Sequence, residues 1–402
     1  MWTVSEFHRQ LEQGVLAGAR EIKLVGTLTE FPRALYQLAD SLEVLDLSGT
    51  GLSSLPDDFA RLHRLRVLFA SHNRFTALPP MLGQLPELEM LGFKACCIHS
   101  VSPESLPPRL RWLILTDNQI TSLPPALGER PRLQKLMLAC NQLQVLPDSL
   151  AQCGRLELLR LAGNRLQALP PPILQLPRLT WLALAGNPFT QKSEQQVLSS
   201  TAKTSILGSD LQMHELLGRG ASGHVYRATR HSNGQTLALK VFQQAHTSDG
   251  APESELAAGL AAGQHPQLLT PLATVVPPPQ GELAIALPLL PAAMRPLAGP
   301  PSLRSCTRDV YAPELQLSPA MAQHILAQVT AAVRHLHLHG VLHGDLYAHN
   351  ILWDPISGSA LLGDFGAATL LSDLPATQAR GLMQLERRAL DILRDELYAA
   401  AR

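Results

Sequence analysis

The sequence Val341-Leu-His-Gly-Asp-Leu-Tyr-Ala-His-Asn-Ile-Leu352, with Leu362-Gly-Asp-Phe-Gly366 shortly after it, carries the most specific signal in this chain of 402 residues. Within the first stretch, His343 and Asp345 form an H-x-D motif, and Asn350 follows at a spacing of five. The second stretch contains a D-F-G triplet. The triplet alone would be a weak signal. Its position after H-x-D-x-x-x-x-N argues against a chance match.

These motifs resemble the catalytic loop and the metal-binding D-F-G of the protein kinases. The resemblance implies that Asp345 orients the attacking hydroxyl during phosphoryl transfer from ATP. It also implies that Asn350 and Asp364 hold Mg²⁺ against the phosphates. His343 would be the structural histidine of H-x-D, because the histidines around it show no closed ligand set with an acidic partner for a metal site.

Two motifs upstream match the nucleotide-binding part of the same family. Leu217–Val225 fits G-x-G-x-x-G-x-V, whose glycines would let a β-hairpin approach the phosphates. Lys240 lies among apolar residues and fits the lysine that holds the α- and β-phosphates. The adenine would lie between Val225 and Ala238 on one side and Leu352 on the other. The residues implied to bind nucleotide are Leu217, Gly218, Gly220, Gly223, Val225, Ala238, Lys240 and Leu352.

In this family the phosphate-holding lysine pairs with a glutamate on a helix. Glu255 is the candidate here, and Glu253 is the alternative. The predicted catalytic residues are therefore Asp345, Lys240 and Glu255. Gly259 and Gly263 are expected to weaken the helix, because glycine has a low helix propensity.

The chain departs from the family pattern at three places. Gly344 stands where most protein kinases have arginine, and Tyr347 stands where serine/threonine kinases carry a phosphate-contacting lysine. No A-P-E motif follows the D-F-G triplet, and Leu385–Leu397, which resembles helix αF, comes soon after it. The missing A-P-E motif implies a shortened activation segment, and Gly344 argues against regulation by phosphorylation of that segment. The H-G-D spelling also resembles small-molecule kinases such as the aminoglycoside phosphotransferases.

The first half of the chain is a repeat. Its units begin at Leu42, Leu65, Leu88, Leu110, Leu133, Leu156 and Leu179 and follow L-x-x-L-x-L-x-x-N-x-L, the leucine-rich repeat. Alternate leucines of each short strand should point into a solenoid, and the residues between them should point outward. An asparagine after each strand can bond the turning backbone. Cys96 replaces that asparagine in one unit, where we expect an irregular repeat.

Outward strand positions of neighbouring repeats should form the concave face of the solenoid. Two interpretations of this face stay open: a patch that binds a protein partner or substrate, or a surface that contacts the second domain. The side chains concerned are Trp112, Lys135, Met137, Arg160 and Trp181.

The two patterns predict a domain order. We expect a helical cap over 1–18, a solenoid over 19–190, a polar linker over 191–210 and a kinase-like domain over 211–402. The N-lobe would span 211–290 and the C-lobe 291–402, truncated after the αF-like helix. The predicted fold class is an α/β leucine-rich-repeat solenoid plus an α+β protein-kinase-like two-lobed domain.

The composition limits which binding partners and which cellular location are expected. Lys plus Arg and Asp plus Glu both number 33, so a formal net charge of zero gives no bulk attraction to nucleic acid or to an anionic membrane. Five scattered cysteines indicate reduced thiols in a reducing compartment. The N-terminus shows no signal-peptide pattern, and no apolar run reaches membrane-spanning length. We therefore expect a cytoplasmic protein.

These patterns predict an ATP-dependent protein kinase that acts on serine or threonine hydroxyls. The repeats would recruit a protein partner or substrate. A pseudokinase scaffold that binds nucleotide is one alternative. It is disfavoured because Lys240, Asp345 and Asp364 are all present. A small-molecule phosphotransferase is the other alternative, suggested by Gly344 and the short activation segment.

Overall fold

The computed structural model describes residues 1–200, 205–220, 222–243, 247, 249–279 and 283–401. The chain divides into two compact units. The first comprises Met1–Leu159 and Asn164–Leu179, and the second comprises Arg160–Gly163 and Thr180–Arg402. The second unit thus includes residues that the sequence assigned to the repeats and to the linker.

The first unit begins with helix α1, Val4–Glu12. The Thr3 side chain accepts a hydrogen bond from the Glu6 backbone N–H, and the Glu6 carboxylate accepts one from the Thr3 N–H. This reciprocal capping box fixes where the helix starts. Phe7 is fully buried, so α1 covers the apolar end of the first repeats, where the sequence predicts a cap.

The repeats contribute short parallel strands. The strands β1–β9 are Trp2–Thr3, Glu21–Val25, Val44–Asp46, Val67–Phe69, Met90–Gly92, Trp112–Ile114, Lys135–Met137, Leu158–Arg160 and Trp181–Ala183. The return segments are the 3₁₀ helices Arg33–Leu38, Asp57–Arg61, Pro80–Gln84, Pro103–Ser105, Pro125–Glu129 and Asp148–Gln152, and helix α2, Pro171–Gln175.

Strands β2 to β7 pair in register, residue for residue. The middle leucine of each strand from β3 to β7, such as Leu45, Leu68 or Leu91, has no exposed surface. Asn118 joins two repeats, because its Oδ1 accepts from Cys96 N and Ile98 N while its Nδ2 donates to Phe93 O and Leu115 O. Stacked leucines and these asparagines explain why a spacing of 22 or 23 residues specifies the solenoid.

The expected irregularity at Cys96-Cys97 is confined to the turn after the strand: Cys97 has φ +67°, whereas the residue after the asparagine in the asparagine-containing units has no positive φ. The strand before it keeps register with both neighbours. The Cys96 thiol is buried and donates to Ala70 O at 3.2 Å, which reproduces part of what asparagine does. Burial raises the pKa of this thiol to about 11, so it stays a neutral donor.

The second unit contains a six-stranded sheet in the order β10-β14-β15-β13-β12-β11. Strands β10–β15 are Ser205–Leu207, Leu211–Arg219, Gly223–Arg230, Thr236–Phe242, Ala273–Val276 and Ala284–Leu287. Leu237, Leu239 and Val241 have no exposed surface and anchor the core of this sheet. Helices α3, Pro188–Ser200, and α4, Pro252–Ala262, pack against each other beside it.

The remaining part of this unit is mainly helical. Helix α5, Pro319–Leu338, begins where the Ser318 hydroxyl accepts from Met321 N at 3.1 Å. Helix α6, Ala376–Ala400, starts earlier than the predicted αF-like helix. Strands β16–β20 are Arg295–Pro296, Val341–Leu342, Ile351–Trp353, Ala360–Leu362 and Thr369–Leu370. Within the described residues no helix is both long enough and apolar enough to cross a membrane.

Residues 191–210 differ from the polar linker expected there. Most of α3, strand β10 and the 3₁₀ turn Gly208–Asp210 lie in this range. Two polar residues of this range are buried: the Glu194 carboxylate accepts from the Ser254 hydroxyl at 2.7 Å, and the Ser193 backbone N–H donates to Asp373 at 2.7 Å. Most of the other described polar residues of the range are exposed, as expected for a polar segment, and residues 201–204 lie outside the described part of the chain.

Candidate active site

The loop between β17 and β18 carries His343, Asp345 and Asn350. His343 is fully buried, its Nε2–H donates to Gly363 O at 2.9 Å, and its Nδ1 accepts from Asp345 N at 3.3 Å. The imidazole therefore ties this loop to the residue before the D-F-G triplet. Both ring nitrogens are used in holding backbone, as expected for a structural histidine.

Asp345 is held from several sides. Its Oδ2 accepts from Asn350 Nδ2 at 2.8 Å, and its Oδ1 is bound by the Arg160 guanidinium. Burial by itself would raise the pKa of Asp345. The charges of Arg160 and His349 and the Asn350 hydrogen bond outweigh burial and hold that pKa below its ordinary value. A carboxylate in this setting stays ionised and fixed in direction.

Lys240 on β13 and Glu255 on α4 form an ion pair. Glu255 is buried, whereas Glu253 is exposed, so the structure pairs the lysine with the first-choice glutamate. Burial raises the pKa of Glu255, the Lys240 charge opposes that shift, and the charge of Asp364 reinforces it.

Helix α4 runs unbroken through Gly259, while its expected weakening by glycine is a matter of stability and stays a prediction. A Cβ on Gly259 would lie 2.6 Å from Pro271 Cδ, so the glycine permits close packing. Gly263, at φ +66°, is the cap that ends the helix.

Asn350 and Asp364 offer oxygen ligands close to Asp345. The Asn350 Nδ2 hydrogens are donated to Asp345 O and Oδ2, which leaves the amide oxygen for another ligand. The Gly363 N–H donates to Asn350 O at 3.0 Å and brings the D-F-G triplet beside the loop. Asp364 is exposed, and its Oδ1 accepts from Gly366 N. An amide oxygen and an exposed carboxylate suit a hard divalent cation.

Two adjoining cavities of about 220 Å³ and 600 Å³ lie between the six-stranded sheet and this loop region. The smaller is lined by charged groups and the glycine loop, among them Gly220, Gly223, Lys240, Asp249, Glu255 and Asp364. The larger is lined mainly by apolar residues, among them Leu217, Gly218, Val225, Ala238, Met294 and Leu352. Every residue predicted to bind nucleotide lines one cavity or the other. An apolar compartment beside a charged one suits a base linked to phosphates.

Sequence reasoning missed Arg160 and Trp181 as parts of this region. It placed both on the concave face and left contact with the second domain as one of two interpretations. In the second unit Arg160 is 2% exposed and Trp181 is 1% exposed. Trp181 Nε1–H donates to Leu346 O at 3.0 Å, and its ring stacks on Tyr347 with centroids 4.2 Å apart. Their outward position in the repeat was the available signal.

Gly344 is required by the packing of β9. Its φ is +75°, and a Cβ there would clash with the carbonyl oxygens of Leu182 and Ala367. Its own carbonyl accepts from Leu182 N at 3.0 Å. The family's arginine therefore could not fit at this position.

Comparison with known proteins gives two kinds of family match. A model described as "Protein kinase domain" matches residues 211–384. Models described as "Leucine rich repeat" match 108–166 and 131–189, and another matches 41–62. The matches coincide with the segments in which the motifs were found, and the predicted fold class is confirmed.

Several curated relatives are kinases. Serine/threonine-protein kinase SBK2 from Mus musculus is 29% identical over 151 residues, which are 37% of this chain and 38% of that protein. DNA damage-responsive serine/threonine-protein kinase RqkA from Deinococcus radiodurans is 30% identical over 172 residues, covering 41% and 23%. The Cyclin-dependent kinase 4 homolog of Caenorhabditis elegans is 30% identical over 181 residues, covering 41% and 39%. The chain thus spans well under half the length of these relatives.

Proposed function

Because the chain contains leucine-rich repeats followed by a protein kinase domain, we propose that it is an ATP-dependent protein kinase directed at serine or threonine hydroxyls. The observation that carries this proposal is the Lys240–Glu255 ion pair, which lines one cavity together with the glycine loop and Asp364. The relatives named as serine/threonine-protein kinases support the choice of acceptor.

The larger cavity would hold the adenine, with Val225 and Ala238 on one side and Leu352 on the other. The glycine loop, through Gly218, Gly220 and Gly223, and Lys240 would hold the phosphates, while Glu255 keeps Lys240 in place. Asn350 and Asp364 would hold Mg²⁺, which supplies positive charge beside the phosphates when it is bound.

Asp345 would accept a hydrogen bond from the substrate hydroxyl and aim its oxygen at the γ-phosphate. Its low pKa keeps it an acceptor at neutral pH. The rate would come from positioning and from fixed charges around the transferred group, because phosphoryl transfer of this kind needs no covalent intermediate with the protein.

The repeats would recruit a protein partner or substrate. Trp112 and Met137 on the proposed concave face are partly exposed and remain available for this role. Arg160 and Trp181 are buried in the second unit and are not available. We further propose a reducing, cytoplasmic location, which the five free cysteines support.

The test is phosphate incorporation from γ-labelled ATP with Mg²⁺ into the chain itself or a generic protein. Asp345→Asn should reduce labelling by at least about 100-fold, because the amide cannot accept the hydroxyl proton. Asp391→Asn, a substitution at an exposed aspartate, is the matched control and should label normally. Absence of wild-type labelling despite ADP binding would overturn the proposal, and labelling of small hydroxylated compounds instead would favour a small-molecule phosphotransferase.

A further inference from the structure

The catalytic loop lacks two cations that its family resemblance predicts. Gly344 stands at the arginine position and Tyr347 at the lysine position. Tyr347 is buried under Trp181, and Gly344 has no room for a side chain. A guanidinium nevertheless lies beside Asp345, and it belongs to Arg160, which precedes the matched kinase segment by about fifty residues.

Arg160 binds three partners with its three nitrogen atoms. Nε donates to Asp249 Oδ1 at 2.7 Å, Nη1 donates to Gly344 O at 3.1 Å, and Nη2 contacts Asp345 Oδ1. The fixed fork of a guanidinium suits such a planar arrangement, and lysine could reproduce only part of it. Because the Arg160 side chain is 2% exposed, removing it would leave two partly buried carboxylates without their counter-charge.

The arrangement orients the Asp345 carboxylate. Arg160 holds Oδ1 and Asn350 holds Oδ2, so the plane of the carboxylate is fixed from both ends. Arg160 also holds the loop backbone one residue earlier, through Gly344 O. Through Asp249 it ties the loop to the segment that precedes helix α4, where Glu255 lies.

Two observations separate this arrangement from a blocked site. The Lys240–Glu255 pair is formed, and the side chain of Asp345 retains 15% of its exposure. Among the described residues, Asp249 lines the charged cavity and Arg160 does not. Arg160 and Asp345 line neither of the two cavities, so their contact lies outside the space that a nucleotide would occupy.

We propose that Arg160 is a positioning residue for phosphoryl transfer, which supplies from the repeat sequence the guanidinium that fixes Asp345. The inference rests on the proposed function. It predicts that loss of Arg160 affects the transfer step much more than nucleotide binding. A residue with only a structural role would lower the amount of folded protein without changing kcat per folded molecule.

The test uses the full-length chain with Arg160→Met, Arg160→Lys and the control Arg165→Met, at an exposed arginine of the same repeat. Steady-state kinetics would be measured with γ-labelled ATP, and Mg²⁺–ADP binding by calorimetry would count the folded sites. Arg160→Met should lower kcat by about 10- to 100-fold, with the KM for ATP and the ADP affinity within about twofold. Arg160→Lys should recover part of kcat, and Arg165→Met should match wild type.

Each result decides the question. A rise in kcat in Arg160→Met would overturn the proposal and identify the contact as an inhibitory one. Unchanged kcat per ADP-binding site would overturn it in favour of a structural role. If Arg160→Met does not fold, the lysine variant decides, with intermediate kcat supporting the proposal and wild-type kcat refuting it. An inactive wild-type chain that still binds ADP would refute the proposed function instead, which is a distinguishable outcome.

Discussion

The nucleotide side and the catalytic-loop side of the second unit are built in different ways. On the nucleotide side, Lys240 meets Glu255 across 15 residues of sequence, and the glycine loop is the hairpin next to the strand of Lys240. On the loop side, Asp345 is bound by a residue 185 positions away, and Trp181 meets the loop across 165 positions. One side is self-contained in sequence, whereas the other is completed by residues from the repeats.

This difference implies that a substitution can disturb one side of the site without disturbing the other. A change in the repeat-derived residues should disturb the loop and spare nucleotide binding. A substitution in the repeat-derived residues that disturbed the loop and nucleotide binding equally would show that the two sides are energetically coupled. Three substitutions test it, beyond those at Asp345 and Arg160 described above.

Trp181→Ala should have the largest effect on stability. The ring is 1% exposed, stacks on Tyr347 and donates to Leu346 O, so its removal should cost about 3–5 kcal/mol of unfolding free energy. Trp112→Ala, at a partly exposed tryptophan, should cost clearly less. Denaturant unfolding gives both values. ADP affinity of the folded Trp181→Ala fraction should stay within about twofold of wild type, and a large loss would contradict the separation of the two sides.

Gly344→Ala should have the next largest effect and lower the free energy of unfolding by about 2–3 kcal/mol. The new Cβ would meet two carbonyl oxygens, and the backbone at this position is left-handed. Gly234→Ala is a matched control, since its φ is +70° but nothing lies within 4 Å of the added Cβ. That control isolates the backbone strain, which is about 1–2 kcal/mol. Equal melting temperatures for the two variants would show that the close approach of β9 contributes nothing.

Glu396→Gln should have the smallest effect on stability, and the size of that effect should depend on pH. Burial first, and then the charge of Asp309, raise the pKa of Glu396 to about 7 from 4.5. Asp309 itself accepts from the His349 ring, so this cluster supports the loop side. With a raised folded pKa, the folded state holds the proton more tightly. The stabilisation is therefore complete below pH 4.5 and is lost as the pH rises through 7.

The glutamine variant should lack that decline, so its melting temperature should exceed that of wild type above pH 7 and approach it in acid. Glu253→Gln, at an exposed glutamate, is the control. Parallel melting curves for wild type and Glu396→Gln from pH 5 to 8 would remove Glu396 as the cause.

The sequence predicts those contacts that are local in the chain or that recur at a fixed spacing. The repeats could be read because each unit contacts the next at a fixed spacing, and the nucleotide residues because their motifs lie on one hairpin and its neighbours. The choice of Glu255 followed from position on the helix. The structure pairs Glu255 with Lys240. The close packing of Pro271 on Gly259 could not be predicted, because no local sequence rule relates the two residues.

The contacts of Arg160 and the burial of Ser193 and Glu194 could not be predicted in the same way. Arg160 has partners 89 and 185 residues away, and no spacing rule relates them. Ser193 and Glu194 look like solvent-facing residues until Asp373 and Ser254 are brought to them. In both cases an outward polar side chain was visible in the sequence, but the group that it meets was not.

The hydrogen bond from Leu182 N to Gly344 O has a consequence for how these domains can be exchanged in evolution. A recombination event that exchanged the repeats at residue 190 for another binding module would remove Leu182, Trp181 and Arg160 together, while leaving every kinase motif intact. The product would still match the kinase pattern but would have an unsupported catalytic loop. We therefore expect this kinase domain and its last repeats to evolve as one unit, with the usable point of exchange before residue 160 rather than between the two sequence patterns.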